Sequence, residues 1–295
     1  MAKGVDMSKT VIDTSNLSPS LSEALDHYDH ALADLFYKQV WGGDDIFIGL
    51  GWHDDDNKPK TIADACRKMV DHMVALIPNR QHIGARLLDL GAGYGASARR
   101  LAREYGFRVD CLNLSEAQNA ENRRLNRKYG LDDKITVFQG NFESLAFSDG
   151  TYDVVWSQDA FLHSDDRAKI LREIDRVLQS GGDIVFTDIL EIEDCPEQAL
   201  EPVLARFGLK SLATPSFYRG EAGDLGWRMH TIRDISPHLV KHYRRVIQEV
   251  ESNHDELSKM FEADYLAKGR RGMEDWIDAG ERGYLRWGMF HFGKV

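Results

Sequence analysis

The sequence predicts an α/β fold in which a mainly parallel sheet carries helices on both faces. Short apolar runs alternate with helical segments through the middle of the chain, as is typical of parallel strands joined by helical crossovers. The first of these runs leads into a glycine-rich turn, which is expected where a buried strand enters a helix. The chain has 295 residues, 42% of them hydrophobic, so it can bury a substantial core. The predicted strands are residues 86–90, 108–114, 135–139, 152–157, 183–188 and 285–295.

Helices are expected before and after this alternating region. Residues 1–20 are polar and are expected to form a flexible arm that ends in a helix cap. Apolar residues at helical spacing then predict a helix over 21–41, and a second helix is predicted from Thr61 to just before Pro78. From residue 190 to the last strand the chain is predicted to be mostly helical.

Charge and composition narrow the range of partners. The chain has 37 Lys and Arg against 48 Asp and Glu, a formal net charge of -11, and no basic stripe, so no nucleic acid is expected. No stretch approaches the roughly 18 apolar residues of a membrane span, so no membrane is expected. Cys66, Cys111 and Cys195 form no C-x-x-C pair, and no signal peptide is evident, which together indicate a cytoplasmic protein. The expected partner is therefore a small molecule.

The turn after the first predicted strand has glycines at positions 91, 93 and 95, in the sequence LDLGAGYG. Glycine admits positive φ and lets a ligand approach the main chain closely. The spacing is G-x-G-x-G, whereas the dinucleotide fingerprint is G-x-G-x-x-G beside a pyrophosphate. Asp89, just before the glycines, would repel a pyrophosphate and attract an ammonium group. The turn therefore favours a positively charged ligand over NAD.

The sequence LLDLGAGYGASARRLA resembles the first motif of class I methyltransferases, which use S-adenosylmethionine and release S-adenosylhomocysteine. The resemblance implies a Rossmann-like, doubly wound, mainly parallel sheet of seven strands, with a helical lid from the N-terminal helices and from an insertion before the last strands. It implies one methyltransferase domain over residues 21–295, with a cofactor-binding core at about 80–190 and lid or substrate segments at about 21–60 and 195–250.

The same resemblance assigns cofactor contacts to the ends of the predicted strands. Where such enzymes usually place an acidic residue on the ribose hydroxyls, this chain has Asn113, which offers one acceptor and one donor in place of two carboxylate oxygens. Phe142 is expected to stack on adenine, and Gln158 to lie beside the transferable methyl group. The residues expected to bind the cofactor are Asp89, Gly91, Ala92, Gly93, Gly95, Asn113, Leu114, Gln118, Asn141, Phe142 and Gln158.

One branch of these enzymes, the sarcosine and dimethylglycine N-methyltransferases, is similar to this chain beyond the cofactor motif. The similarity is carried by LNLSEAQN and by four further segments: HYDHALADLFYKQVWGGDDIFIGLG, PSFYR, DISPHLVKHYRRV and WIDAGERGYLRWGMFHFGK. It implies that dimethylglycine, and also sarcosine, is converted to glycine betaine, a quaternary ammonium compound. The expected substrate is thus a small amine that carries a carboxylate.

Aromatic residues in those segments are expected to enclose the substrate's cationic end, because cations bind to aromatic faces. The candidates are Tyr28, Trp41, Trp52, Phe217, Tyr218 and Trp227, each of which could instead pack in the core. Arg219 and Arg228 are the predicted partners of the carboxylate, which is costly to bury unpaired. The predicted substrate-binding residues are Tyr28, Trp41, Tyr218, Arg219, Trp227 and Arg228.

His163, Gln158 and Tyr28 are the predicted catalytic residues. An ordinary histidine has a pKa near 6.5, so His163 could accept a hydrogen bond or a proton from the incoming amine. The alternative is that His163 caps the helix that begins around Asp165. His27 and His30 lie on one side of the first helix, but no third ligand follows at zinc spacing, and no metal site is predicted.

The sequence is compatible with three kinds of function. The first is methylation of dimethylglycine, and the second is methylation of another small molecule, such as a natural-product amine, a phenol or a carbon acid. The third is an NAD-binding oxidoreductase or a non-catalytic nucleotide-binding module. The sequence does not distinguish a monomer from a dimer.

Overall fold

The computed structural model describes residues 17–54, 61–78 and 83–295. Most of the predicted arm, residues 1–16, lies outside this part of the chain. The strands are β1 (Arg86–Leu90), β2 (Arg108–Asn113), β3 (Ile135–Gln139), β4 (Tyr152–Gln158), β5 (Leu178–Glu191), β6 (Arg228–Asp234) and β7 (Leu285–Gly293). The helices are α1 (Pro19–Asp29), α2 (Ala31–Phe36), α3 (Ile62–Val74), α4 (Ala96–Glu104), α5 (Glu116–Lys128), α6 (Arg167–Val177), α7 (Glu201–Ala205), α8 (Pro215–Asp224), α9 (Ser236–Ser252), α10 (His254–Leu257) and α11 (Ala263–Glu281).

The seven strands form one sheet in the order β3-β2-β1-β4-β5-β7-β6. Strand β7 is antiparallel to both of its neighbours, and the remaining pairs are parallel. The prediction of a doubly wound, mainly parallel, seven-stranded sheet is therefore confirmed. Strand β5 is longer than the apolar run 183–188, because its first residue, Leu178, pairs with β4 and its last, Glu191, pairs with β7.

Strand β6 was not among the strands predicted from apolar runs. Its sequence, RMHTIRD, is largely polar and its side chains are exposed or half-buried. Strand β6 lies at an edge of the sheet, where it pairs only with β7 among the described strands. An edge strand of this kind needs no apolar run, because only part of its surface packs on the core.

The order of the strands places a cleft between β1 and β4. Strand β1 pairs with β2 on one side and with β4 on the other, so the chain changes direction across the sheet at this point. In open α/β sheets, ligands bind at the carboxyl ends of the strands at such a switch point. The glycine turn at 91–95 follows β1 here, and a 3-10 turn, Phe161–His163, follows β4.

Alternate residues of β5 and β7 enter two separate cores, one on each face of the sheet. Val185 and Trp287 belong to the first core, and Phe186 and Phe290 belong to the second. Helices α3, α9 and α11 cover the first core, and helices α6 and α8 cover the second. Both faces of the central strands are buried, which accounts for their nearly continuous apolar sequences.

The segment predicted as one helix over 21–41 is divided into three pieces. Helix α1 begins at Pro19, so residues 19 and 20 are helical and do not belong to the arm. It ends at Asp29, because His30 is extended and its side chain caps α2. A π-helical turn, Tyr37–Trp41, follows α2 and turns its aromatic side chains towards the cleft.

Thr61 begins α3 with a capping box, in agreement with the predicted start of the second helix. Among the described helices, none is long and apolar enough to cross a membrane.

Candidate active site

A cleft of about 1050 Å³, including its open mouth, lies over the carboxyl ends of β1 to β4. One wall, the strand-end wall, is formed by the loops after these strands. The other, the lid wall, is formed by α1, the π-turn and residues from the C-terminal half. Predicted cofactor residues on the first wall are Gly91, Asn113, Leu114, Gln118, Asn141, Phe142 and Gln158. Asp89 and Ala92 line a smaller adjoining cavity of about 410 Å³, which shares Gly91 and Gln158 with the cleft.

The glycine turn has a conformation that favours glycine at all three positions. Gly91, Gly93 and Gly95 have φ values of 78°, 52° and 74°, in the left-handed region. A Cβ atom on Gly91 would lie 2.4 Å from Cβ of Ala160, so Gly91 also allows β1 to approach the loop after β4. Gly91 lines the cleft, whereas Gly93 and Gly95 line neither the cleft nor its adjoining cavity.

Asp89 presents a carboxylate oxygen without a partner. The side chain is 3% exposed, and Oδ2 accepts no hydrogen bond from the described residues. Burial raises the pKa of this carboxyl to about 7, because a charged carboxylate is poorly solvated there. An unpaired buried oxygen beside a glycine turn fits the ammonium group of an amino acid, such as the methionine part of S-adenosylmethionine.

Asn113 and Gln118 form a polar ledge at the end of β2. The Asn113 amide nitrogen donates a hydrogen bond to Oε1 of Gln118 at 2.9 Å. The Gln118 side-chain nitrogen is buried and has no partner in the described part of the chain, so it can donate to a ligand oxygen. Ser115 caps α5 and also donates to Asp29, which attaches α1 to this ledge.

Gln158 and Asp159 follow each other at the end of β4 but have different partners. Gln158 accepts a hydrogen bond from Ser97 in the first turn of α4. Asp159 accepts one from the Leu50 main-chain nitrogen at 3.1 Å and one from the Trp287 indole at 2.7 Å. Asp159 therefore attaches the N-terminal lid to the sheet. It was not among the predicted site residues, because its partners are remote in the chain.

His163 and Tyr28 meet across the cleft. The Tyr28 hydroxyl lies 3.3 Å from Nε2 of His163, and Nδ1 of His163 is buried without a partner among the described residues. Burial, with a smaller effect of His27, lowers the pKa of His163 to about 3, so the imidazole is neutral at neutral pH. The proposed helix-cap role of His163 is wrong, because Asp166 caps α6 by accepting from the Lys169 main-chain nitrogen.

Arg206 supplies a positive charge to the cleft, and it was not among the predicted substrate residues. Its guanidinium carbon lies 5.0 Å from the ring centre of Phe207, 5.4 Å from that of Tyr243 and 5.8 Å from that of Trp276. Within residues 17–54, 61–78 and 83–295 it forms no ion pair, and its Nη1 is buried without a hydrogen bond. An unpaired guanidinium in an aromatic pocket is suited to binding a carboxylate.

The space for Arg206 depends on Gly272 in α11. A Cβ atom on Gly272 would lie 3.2 Å from Cδ of Arg206, so a larger residue would displace the arginine stem. Arg206 lies within the predicted substrate segment 195–250 and next to Phe207, a local signal that could have suggested it. Its other two rings are on α9 and α11, and only the fold brings them together.

The structure places four predicted substrate residues elsewhere, and these assignments were wrong. Tyr218 is 1% exposed in the second core and donates a hydrogen bond to Asp188 at 2.6 Å. Trp227 is buried in the same core and donates to Asp175 at 2.8 Å. Both belong to the face of the sheet covered by α6 and α8, whereas the π-turn, Tyr243 and Trp276 belong to the opposite face.

The two predicted carboxylate-binding arginines are exposed and do not line the cleft. Arg219 lies on the outer side of α8. Arg228 begins the edge strand β6, beside Asp183, His230 and His291 at the end of the sheet remote from the cleft. Among the other aromatic candidates, Tyr28 and Trp41 line the cleft, Phe217 packs on the second core, and Trp52 stacks between two histidine rings outside the cleft.

The doubly wound sheet, the left-handed glycine turn and the buried carboxylate beside it define a class I methyltransferase. The family described as a methyltransferase domain matches residues 88–186. The sarcosine/dimethylglycine N-methyltransferase of Aphanothece halophytica is 47% identical over 92% of this chain and 96% of its own length. The chain belongs to the family of sarcosine/dimethylglycine N-methyltransferases, and it is an enzyme, not an oxidoreductase or a passive nucleotide-binding module.

Further relatives agree with this assignment. The dimethylglycine N-methyltransferase of Parasynechococcus marenigrum is 39% identical over 95% of this chain and 99% of its own. A crystal structure from Galdieria sulphuraria, assigned as a sarcosine dimethylglycine methyltransferase, has a TM-score of 0.83 and 34% identity, and covers 89% of this chain and 98% of that one. A Haemonchus contortus phosphoethanolamine N-methyltransferase, solved with S-adenosylhomocysteine, shares the fold with a TM-score of 0.77 at 19% identity, over 92% of this chain and 60% of that one.

Proposed function

We propose that this enzyme transfers methyl groups from S-adenosylmethionine to sarcosine and to dimethylglycine, with glycine betaine as the final product. The observation that carries the proposal is Arg206, an unpaired guanidinium among aromatic rings on the lid wall of the cleft. Arg206 can bind a carboxylate, and the aromatic rings around it can bind a methylated ammonium group. The names of the relatives support the same substrates.

The cofactor is proposed to lie along the strand-end wall. Asp89 would bind the ammonium of its methionine part, and the turn from Gly91 to Gly95 would let it approach the main chain. Asn113 and Gln118 would bind the ribose hydroxyls, and Phe142 would pack on the adenine; all three line the cleft. When bound, S-adenosylmethionine supplies a methyl group on a positively charged sulfur.

The substrate is proposed to lie along the lid wall. Arg206 would bind the carboxylate, while Tyr28, Tyr37, Trp41 and Trp276 present aromatic rings to the methylated nitrogen. Each such cation–aromatic contact contributes on the order of 0.5 to 2 kcal/mol. Burial raises the pKa of Tyr28 and raises that of Tyr37 to about 12, so both phenols stay neutral and do not form a charged pair with Arg206.

The reaction requires a free-base amine at the methyl carbon. The nitrogen lone pair forms the new N–C bond as the C–S bond breaks, and the positive charge passes from sulfur to nitrogen. The lid wall must hold the nitrogen roughly 3 to 3.5 Å from the carbon and in line with the sulfur. His163, neutral because of its lowered pKa, can accept a hydrogen bond from the N–H of sarcosine, and its contact with Tyr28 fixes the ring.

The proposal is tested by incubating the purified chain with labelled S-adenosylmethionine and each amine. Methyl transfer to dimethylglycine, detected as glycine betaine by mass spectrometry, is the expected result. Titration calorimetry should show binding of S-adenosylhomocysteine and no binding of NAD. Absence of glycine betaine between about pH 7 and about pH 10 would reject the substrate assignment, and it would leave the family membership intact.

A further inference from the structure

A second cavity adjoins the cleft. It measures about 1180 Å³, including its mouth, and lies between α1, α2 and α11. Tyr37, Trp41 and Arg206 line both spaces, so these three side chains form the wall between them. The two spaces therefore approach the same guanidinium from different sides.

The charges around the second cavity match a small zwitterion. Lys268 lies on its wall and, like Arg206, forms no ion pair within the described ranges. Asp26 supplies a negative charge on the same wall. Burial, followed by the charge of Arg206, lowers the pKa of His27 to about 4, so this imidazole adds no charge at neutral pH. In a chain with a net charge of -11, two unpaired cations make this cavity locally attractive to a carboxylate.

In-line transfer also favours a separate route for the amine. The attacking nitrogen and the leaving sulfur must lie on opposite sides of the methyl carbon. The cofactor is assigned to the strand-end wall, so the amine has to arrive from the lid side. The second cavity lies on that side, since the wall that it shares with the cleft consists of lid residues.

We propose that the second cavity is the passage by which the methylated amino acid reaches the cleft, with its carboxylate passing from Lys268 to Arg206. This inference rests on the proposed function, because it needs a zwitterionic amino acid as the substrate. The route is separate from the cofactor site, so amine and product exchange while the cofactor stays bound.

A substitution at Gly269 tests the passage. Gly269 lines the second cavity but not the cleft, and a Cβ atom there would meet nothing within 4 Å. Gly269→Trp should therefore fold and narrow the cavity with an indole ring. Gly220→Trp is the matched control, because Gly220 is an exposed helical glycine on α8 that also has open space around it.

The measurement is stopped-flow binding of glycine betaine to the S-adenosylhomocysteine complex, followed by the fluorescence of tryptophans in the cleft. Obstruction of a passage should slow association and dissociation by about tenfold each and leave Kd nearly unchanged, because the bound state is not altered. The Kd for S-adenosylhomocysteine and the Tm should match those of Gly220→Trp.

A charge reversal provides a second test that needs no bulky residue. Lys268→Glu should slow association several-fold at low salt, and the difference should shrink as salt screens the charge. Arg271→Glu makes the same change of charge on an exposed position of α11 that lines neither cavity, and it should have a smaller effect.

The outcomes separate the two proposals. A wild-type chain that neither methylates nor binds these amines would overturn both. A wild-type chain that methylates dimethylglycine, with unchanged binding rates in Gly269→Trp and Lys268→Glu, would overturn the passage alone. A changed Kd with unchanged association rate in Gly269→Trp would also overturn it, because that result indicates a distorted site.

Discussion

The Tyr28 hydroxyl lies 3.3 Å from Nε2 of His163, and this contact joins the first helix to the turn after β4. Both side chains line the cleft, so the contact joins its two walls. Burial lowers the pKa of His163 to about 3 and raises that of Tyr28, so the contact is a hydrogen bond between two neutral groups at neutral pH. Because His163 is neutral, it can accept a hydrogen bond but does not carry a positive charge at neutral pH.

The neutral state of His163 predicts a particular pH dependence. The kcat/KM for dimethylglycine should rise with pH as the free amine becomes available, with no inflection near the ordinary histidine pKa of about 6.5. His163→Gln should lower the rate and keep the shape of the profile. Steady-state rates between about pH 6 and about pH 10 test this. Loss of an inflection near 6.5 in the variant would show instead that the histidine is a general base.

Removing the guanidinium of Arg206 should affect substrate binding and spare the cofactor. Arg206→Met should lower kcat/KM for dimethylglycine by about a hundredfold, because the substrate carboxylate loses a charge-assisted hydrogen bond of roughly 2 to 3 kcal/mol. The Kd for S-adenosylhomocysteine should stay the same.

Arg219→Met and Arg228→Met are the matched controls for this prediction. Both arginines are exposed and remote from the cleft, so both variants should retain the wild-type kcat/KM. A larger loss in either control than in Arg206→Met would reject Arg206 as the carboxylate partner.

Substitution of Asp89 should weaken cofactor binding and stabilise the free protein. Asp89→Asn removes the carboxylate proposed to bind the ammonium group, and the Kd for S-adenosylmethionine should rise by about tenfold or more. Calorimetry measures this change. An unaltered Kd would contradict the assignment.

The stability change of Asp89→Asn should depend on pH. The pKa of Asp89 is about 7 in the folded chain against 3.8 as the ordinary value. The protonated Asp89 carboxyl therefore contributes its full share to the free energy of unfolding below pH 3.8, and this contribution is lost as the pH rises through 7. The Tm advantage of the variant without cofactor should thus be larger at about pH 8 than at about pH 5. If the Tm difference between Asp89→Asn and the wild type were the same at both pH values, the carboxylate would not be buried and unpaired.

A side chain at Gly91 should disturb the turn more than the positive φ alone would, because of the close approach to Ala160. Gly91→Ala places a Cβ atom 2.4 Å from Cβ of Ala160 and should weaken S-adenosylhomocysteine binding by more than about tenfold, since the turn must shift. Gly150→Ala is the control, because Gly150 also has a positive φ, 58°, but open space around it.

The control should separate strain from steric conflict. Gly150→Ala should lose about 1 kcal/mol of stability and keep the wild-type Kd. Thermal unfolding and calorimetry on both variants make the comparison. If the two variants lost binding equally, or neither did, the contact with Ala160 would not matter for the cofactor.

Features that depend on local pattern could be predicted from the sequence. Strands buried on both faces have apolar runs, so β1 to β5 and β7 were predicted close to their positions, and the glycine turn with Asp89 followed from spacing alone. Strand β6 was not predicted because it lies at an edge and has few apolar side chains.

The substrate side of the cleft depends on contacts between residues that are distant in the chain. An aromatic residue or an arginine in a lid segment has the same sequence signature whether it faces a ligand or a core. Tyr218 entered the core behind the sheet, whereas Arg206 came together with Tyr243 and Trp276 from two distant helices. Which face of the sheet a helix covers depends on the path of the whole chain, and so the cation of this site could not be identified from local sequence.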